Sequence, residues 1–305
     1  MVSRSDTNLD RIMYPSQFEY IAANSVDDAI SLLSKHDNAE ILAGGQSLVP
    51  LQKTRFASPD QLIDITGIDA LRYVEETTDE ICIGALTSHT VIQNAAPVTA
   101  SLELFSECIS QIADWQVRNQ GTFGGTVVEA DPAGDYMPVL KVTNPEFTIA
   151  GPDGTRTTTF EEFYLGMLTV DLEEAEIVTE GRFSKLEPDE KGHAIGSSYK
   201  KYAKRSGDYA IAGVAAILEI TDEGTIDDAR VSIGAVGPLE RLRETEALVE
   251  GTDLSERVLA DAAASAKESV IPDDDGLDGD YQRAMAGEFT KRALESAYAR
   301  AQDEQ

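Results

Sequence analysis

Two glycine-rich segments, Ala43-Gly44-Gly45-Gln46-Ser47 and Thr122-Phe123-Gly124-Gly125-Thr126, each follow an apolar run and lie far apart in the chain. Glycine turns with φ > 0 at no steric cost and carries no side chain to block an anion, so successive N–H groups can converge on a phosphate. Together the two segments read as a two-sided backbone cradle for a pyrophosphate. Neither is a familiar nucleotide loop: no G-x-G-x-x-G opens a helix, and Gly44-Gly45 is not followed by the G-K-S/T of a P-loop.

The elements around the cradle are legible from periodicity and caps. A capped amphipathic helix is expected over 25–35, with Ser25 as cap and Asp27 and Asp28 in its first turn, followed by a strand at 40–43 that delivers the first glycine pair. Further strands are expected at 62–65 and 81–84, and Thr87-Ser88 caps a helix starting near His89. A helix over 102–112 continues through Trp115 and Arg118 into the second glycine segment, which is read as a loop. A hairpin at 146–159 turns at Gly151-Pro152-Asp153-Gly154. The 187–196 stretch, with Pro188-Asp189-Glu190-Lys191-Gly192, marks a domain junction. Beyond it come two β-rich runs, 209–220 and 226–236, and two helices, 254–269 and 281–301, separated by the loop Pro272-Asp273-Asp274-Asp275-Gly276. Trp115 and Phe123 suit either core or pocket wall.

Composition narrows the classes. The 305 residues favour about two domains, and 42% apolar content suffices for ordinary cores. Asp plus Glu outnumber Lys plus Arg 55 to 25, for a net charge of −30, and no basic stretch is present to track a phosphodiester backbone, so nucleic acid is not an expected partner. The acids are spread through both halves and lysine is scarce beside arginine, which points to a halophilic cytoplasm, with a merely acidic mesophilic protein as the alternative. The polar Met1–Tyr20 stretch has no signal-peptide core, and no run approaches the about 18 apolar residues of a membrane span, so a cytoplasmic protein is expected. Cys82 and Cys108 read as packing residues, and with His36, His89 and His193 scattered, no metal-ligand spacing emerges.

Five segments in order carry a resemblance over essentially the whole chain: Ile41–Pro50, Gln116–Thr126, Asp131-Pro132-Ala133-Gly134-Asp135, Thr169–Leu172 with Glu176-Ile177-Val178, and Tyr199–Tyr209. They resemble the FAD-binding medium (flavoprotein) subunit of carbon monoxide dehydrogenase and, more widely, the FAD-binding parts of xanthine dehydrogenase family molybdenum hydroxylases. The resemblance implies an α+β fold: a two-part FAD-binding domain of the PCMH, vanillyl-alcohol-oxidase-like type over 1–187, then a C-terminal α+β domain with a small antiparallel sheet and helices over 188–305.

It also implies a cofactor, FAD, and its contacts. Leu42, Ala43, Gly44, Gly45, Gln46, Ser47 and Leu48 would hold the pyrophosphate, Gly44 and Gly45 by close backbone approach and Ser47 by its hydroxyl. Thr122, Phe123, Gly124, Gly125 and Thr126 match the family's T-x-G-G followed by Asn or Ser, with Thr126 departing from that pattern while keeping a hydroxyl donor. Asp135 would accept from ribityl or ribose hydroxyls, or alternatively cap the short helix after it; Asp131 suits a turn. Lys201 would sit by the isoalloxazine, where a cation stabilises negative charge on the reduced ring, unless it belongs to a solvated face. Tyr209 would lie by the ring or pack in the core, and Val178 would press an apolar side chain on it unless a one-residue register shift gives that place to Thr179. No catalytic residue is expected of the chain. The implied partners are a molybdenum-cofactor large subunit and a small subunit with 2Fe-2S clusters, assembled as a dimer of heterotrimers, with quinone or NAD as electron acceptor. The competing reading is a stand-alone FAD oxidoreductase.

Overall fold

The computed structural model describes residues 14–188, 192–272 and 277–303. The central residues of the expected junction (189–191), of the acidic loop (273–276) and most of the N-terminal stretch (1–13) lie outside them. The first unit comprises β1 (Glu19–Ala22), α1 (Val26–Leu33), β2 (Ala39–Leu42), α2 (Leu48–Lys53) and β3 (Gln61–Asp64). Ser25 caps α1 as its sequence predicts, its Oγ accepting from the Asp28 N–H at 3.1 Å. The strands form a parallel sheet in the order β1-β3-β2, with the buried β3 in the middle. Ala29 and Ile30 of α1 pack with Ile63, Ile65 and Leu71 in a small core of their own. Parallel pairing puts all three carboxyl ends at one edge, the usual ligand edge of such a sheet, and the first glycine segment leaves β2 there.

The second unit continues with β4 (Val74–Glu76), β5 (Glu80–Gly84), α3 (His89–Gln93), α4 (Ala96–Ser101), α5 (Glu103–Ser110), α6 (Trp115–Gln120), α7 (Phe123–Glu129) and α8 (Tyr136–Thr143). The chain then forms β6 (Glu146–Gly151), β7 (Gly154–Thr159), α9 (Phe160–Phe163), β8 (Tyr164–Gly166), β9 (Thr169–Val170) and β10 (Ile177–Ser184). The five-stranded sheet runs β4-β5-β10-β6-β7, and the β6–β7 hairpin closes at Gly151 and Gly154 as expected. Its core is aromatic: Phe123, fully buried, meets Phe105, Tyr136, Phe147 and Phe183. It fits because Gly181 of β10 has no side chain; a Cβ there would lie 2.4 Å from Phe123 Cζ.

Two expectations change here. The continuous helix through Trp115 breaks in the turn between α5 and α6, where Ala113 has a left-handed φ of +39°. The second glycine segment is also helical: Thr122 is the N-cap of α7, and Gly124 and Gly125 form its first turn.

The third unit has β11 (Ala194–Tyr202), β12 (Ala212–Ile220), β13 (Ile226–Gly234), β14 (Glu240–Arg241), α10 (Arg243–Val249), α11 (Glu256–Ser269) and α12 (Gly279–Asp303). The antiparallel sheet β11-β12-β13-β14 is buried on both faces, so β12 reads as a continuous apolar run. Val214, Ala216 and Leu218 face α11 and α12, whereas Ala215 and Ile217 join the aromatic core. Glu107 of α5 holds the edge strand β11: its carboxylate accepts from the Tyr199 N–H at 2.9 Å, Lys200 Nζ at 2.8 Å and Arg300 of α12 at 3.0 Å.

Candidate functional site

The two glycine segments meet. A Cβ on Gly44 would fall 2.3 Å from Gln120 O and 2.8 Å from Gly121 Cα, so only a glycine lets the loop after β2 lie against the chain entering α7. Gly45 has φ +69°, the left-handed region that glycine occupies without strain. No hydrogen bond to another described residue engages the N–H groups of Gly44, Gly45, Gln46 or Ser47. Four adjacent donors around a left-handed residue have the chemistry of an anion-binding nest and fit the donor set a pyrophosphate takes. Gln46 folds its amide back onto Gly44 O at 3.0 Å. Leu42 ends β2 and Ala43 follows it, both half-buried, and Leu48 opens α2.

The second segment is built differently. Its N–H groups are engaged within the protein: Phe123 to Thr87 O at 3.0 Å, Gly124 to Ala85 O at 2.8 Å, Gly125 to Thr122 Oγ1 at 3.3 Å and Thr126 to Thr122 O at 3.1 Å. Neither glycine adopts a left-handed φ. Gly124 is needed for packing, since a Cβ would stand 2.7 Å from that of Ala85. Gly125 is exposed and Thr126 half-buried, and these form the surface α7 offers next to the nest. Phe123 is core, not pocket wall, while Trp115 is 64% exposed with the Arg118 guanidinium 4.9 Å from its ring centroid.

Asp135 and Lys201, 66 residues apart, form a buried ion pair: Lys201 Nζ lies 2.9 Å from Asp135 Oδ2, with side-chain exposures of 4% and 7%. Lys201 also donates to Gln111 O at 3.1 Å, and Tyr199 Oη donates to Asp135 Oδ1 at 2.6 Å. Tyr199 and Lys201 are two apart on β11 and therefore share the face that meets α5 and α8. Burial pushes the Asp135 carboxyl above its ordinary range, against the lowering effect of Lys201 and of the Lys201 and Tyr199 hydrogen bonds. Lys201 is thus not on a solvated face, and Asp135 makes no side-chain cap to α8.

Tyr209 is 63% exposed; even so, desolvation of its hydroxyl end, with Asp131, Glu129 and Asp135 adding negative charge, raises its pKa. The loop carrying it packs on the α5–α6 turn, where a Cβ on Gly207 would meet Ala113 O at 2.8 Å. Val178 is 3% exposed within the aromatic core, and a bulge between Val178 and Glu180 sets Thr179 apart, half-buried, with its Oγ1 donating to Thr148 O at 3.1 Å.

Three residues of this neighbourhood had no role in the sequence reading. Tyr199 supports Asp135, and its signal was available in its position two residues before Lys201 in a strand. Glu129 lies at the end of α7 within hydrogen-bonding influence of Ser47; burial raises its pKa, with Asp131 adding to the shift and Ser47 opposing it. His89, 3% exposed, contacts Tyr136 and Thr126, and nothing in a lone histidine after Thr87-Ser88 announces that. Among the described residues no group of three or more His, Cys, Asp or Glu side chains is placed to hold a metal, and no helix is long and apolar enough to cross a membrane.

Comparison with known proteins gives two family matches. Residues 16–183 match the FAD binding domain in molybdopterin dehydrogenase, and residues 197–297 match the CO dehydrogenase flavoprotein C-terminal domain. The chain is 36% identical over 291 residues to the carbon monoxide dehydrogenase medium chain of Hydrogenophaga pseudoflava, covering 94% of this chain and 99% of that one. It is 33% identical over 284 residues to the glyceraldehyde dehydrogenase medium chain of Sulfolobus acidocaldarius, with 92% and 99% covered. Among solved structures, carbon monoxide dehydrogenase from Hydrogenophaga pseudoflava lacking the Mo-pyranopterin moiety superposes with a TM-score of 0.88 at 37% identity, over 94% of this chain and 99% of that chain.

Proposed function

The chain belongs to the FAD-binding medium subunits of carbon monoxide dehydrogenase and xanthine dehydrogenase type molybdenum hydroxylases, and from that premise we propose how it holds its FAD and what it works with. The observation that carries the reading is the run of four unpartnered amides at Gly44–Ser47, shaped by the left-handed Gly45 and set against Gln120-Gly121. These amides take the pyrophosphate, with Leu42, Ala43 and Leu48 shaping the loop and the Ser47 hydroxyl beside it. Thr122, Phe123 and Gly124 form the scaffold of the second side, and it presents Gly125 and the Thr126 hydroxyl to the cofactor.

Bound FAD supplies the electron transfer; the polypeptide sets its position and potential. Lys201 provides a fixed positive charge near the ring, held by Asp135 and the Gln111 carbonyl. Tyr209 covers the ring from the solvent side. Val178 or, one residue on, Thr179 contributes the side chain against the ring; the enclosure of Val178 in the core supports Thr179.

The reported relatives bear the names of medium chains, which favours a subunit over a self-sufficient flavoenzyme. The partners follow from that place: a molybdenum-cofactor large subunit that oxidises the substrate and a 2Fe-2S small subunit that relays electrons, in a dimer of heterotrimers, with quinone or NAD as acceptor. A halophilic setting is supported by the net charge of −30, and a boundary between 1–187 and 188–305 by the separate sheets on either side. The test is FAD titration of the purified chain and of Gly45→Val. A β-branched residue at φ +69° is strained and reshapes the nest, so the variant is expected to stay folded and lose FAD. Equal FAD occupancy in both would remove the nest from the account.

A further inference from the structure

His89 opens α3 beneath the second glycine segment, and its ring has polar partners on both sides. Nδ1 lies 2.8 Å from Tyr136 Oη and Nε2 lies 3.4 Å from Thr126 Oγ1, while the His89 and Tyr136 rings stand nearly perpendicular, 80° apart with centroids at 5.2 Å. The His89 backbone N–H donates to Gly121 O at 3.1 Å, and a Cβ on Gly121 would come within 2.7 Å of Nε2. Burial first, and Arg118 second, push the His89 pKa down to about 4, so at neutral pH the imidazole carries one N–H.

Which nitrogen carries it follows from the donors and acceptors present. Tyr136 is fully buried, and its hydroxyl has no partner among the described residues other than His89. Were Nδ1–H to donate to Tyr136, the phenolic proton would be stranded in the core without an acceptor, at the full desolvation penalty of a buried polar group. The satisfied arrangement runs one way: Tyr136 O–H donates to Nδ1, and Nε2–H donates to Thr126 Oγ1. Thr126 then accepts from the histidine, and its own proton has no acceptor among the described residues.

We propose that His89 is a positioning residue that fixes this relay in one direction and so leaves the Thr126 hydroxyl proton free to be donated to an oxygen of the cofactor. The inference rests on the FAD reading above. With Nε2–H directed at Oγ1, the Thr126 proton is turned away from the imidazole and is free to be donated, as a serine proton at this position would be. The arrangement also gives Gly121 a reason, as the residue that lets the ring approach.

The test has two arms on the full chain. Nitrogen-15 two-bond correlation spectra of the ligand-free protein, with His89→Gln to assign the signal, are expected to show the Nε2–H tautomer. FAD titration by fluorescence is expected to show Thr126→Val binding about tenfold or more weakly, Thr126→Ser near the parent affinity, and Tyr136→Phe a mixed tautomer with weakened binding. An Nδ1–H signal, or Thr126→Val at parent affinity, overturns the proposal while leaving the cofactor reading intact. A parent chain that takes up no FAD overturns the cofactor reading, and the donor role with it.

Discussion

Replacing Lys201 by Met removes the cation of a pair whose members are almost without solvent contact. At 2.9 Å and an effective dielectric of about 20, the Lys201–Asp135 attraction is about 6 kcal/mol. Much of this offsets the desolvation of the two ions, and deleting one partner of a buried pair typically costs about 3–5 kcal/mol because the other charge is left uncompensated. Here Asp135 would keep the Tyr199 hydroxyl and a backbone hydrogen bond but no cation. At about 2–4 °C per kcal/mol for a chain of this size, the melting temperature of the ligand-free protein should fall by roughly 10 °C. The pH dependence gives the sign. Asp135 already has a raised folded pKa from burial, and losing Lys201 raises it further. The cost is therefore complete above that folded pKa and fades as the pH falls through it, when the buried carboxylate takes up a proton. Thermal unfolding of the parent, Lys201→Met and Lys201→Met/Asp135→Asn across neutral to acid pH is the assay. The double variant should recover most of the loss at neutral pH, with Asn still accepting from Tyr199. A Lys201→Met deficit below about 1 kcal/mol, or one that does not change with pH, would refute the reasoning.

Gly44→Ala places a methyl 2.3 Å from the Gln120 carbonyl oxygen, which backbone cannot yield without separating the two segments; FAD affinity should fall more than tenfold and stability by about 1–3 kcal/mol, as checked by titration and melting. Spectroelectrochemistry should find the two-electron potential of the bound flavin lowered in Lys201→Met at neutral pH, and closer to the parent in Lys201→Met/Asp135→Asn, where the local net charge is restored. With −30 net charge, melting temperature and FAD affinity should both drop when salt is lowered to about 0.01 M, where the Debye length reaches about 30 Å; salt-independent melting would remove the halophilic proposal.

What was legible in the chain was local. Ser25, the Gly151–Gly154 turn and the apolar runs of β5 and β12 carry their structure in their own neighbours, and each forms as expected. The first glycine pair was legible too, because a left-handed residue after a strand is a local demand. Gly124-Gly125 reads as a loop yet forms a helix turn, because Gly124 serves there for close approach to Ala85, a tertiary requirement that mimics a turn signal. Ala113 takes a left-handed φ between α5 and α6 without the glycine or proline that marks such breaks. The Asp135–Lys201 pair depends on β11 being held at the sheet edge by Glu107, across 92 residues of sequence from Tyr199, and no local pattern encodes that register. His89 stayed hidden for the same reason: its partners come from α7 and α8.

The central claim is that this chain is a flavin carrier that works only within a larger assembly. It is tested most directly by purifying the chain alone, measuring its FAD content by absorbance, and assaying substrate oxidation with dye acceptors before and after adding the 2Fe-2S and molybdenum subunits. The account predicts stoichiometric FAD and no oxidation until both partners are present. A chain that oxidises substrate by itself, or that holds no FAD in any state of assembly, would contradict it.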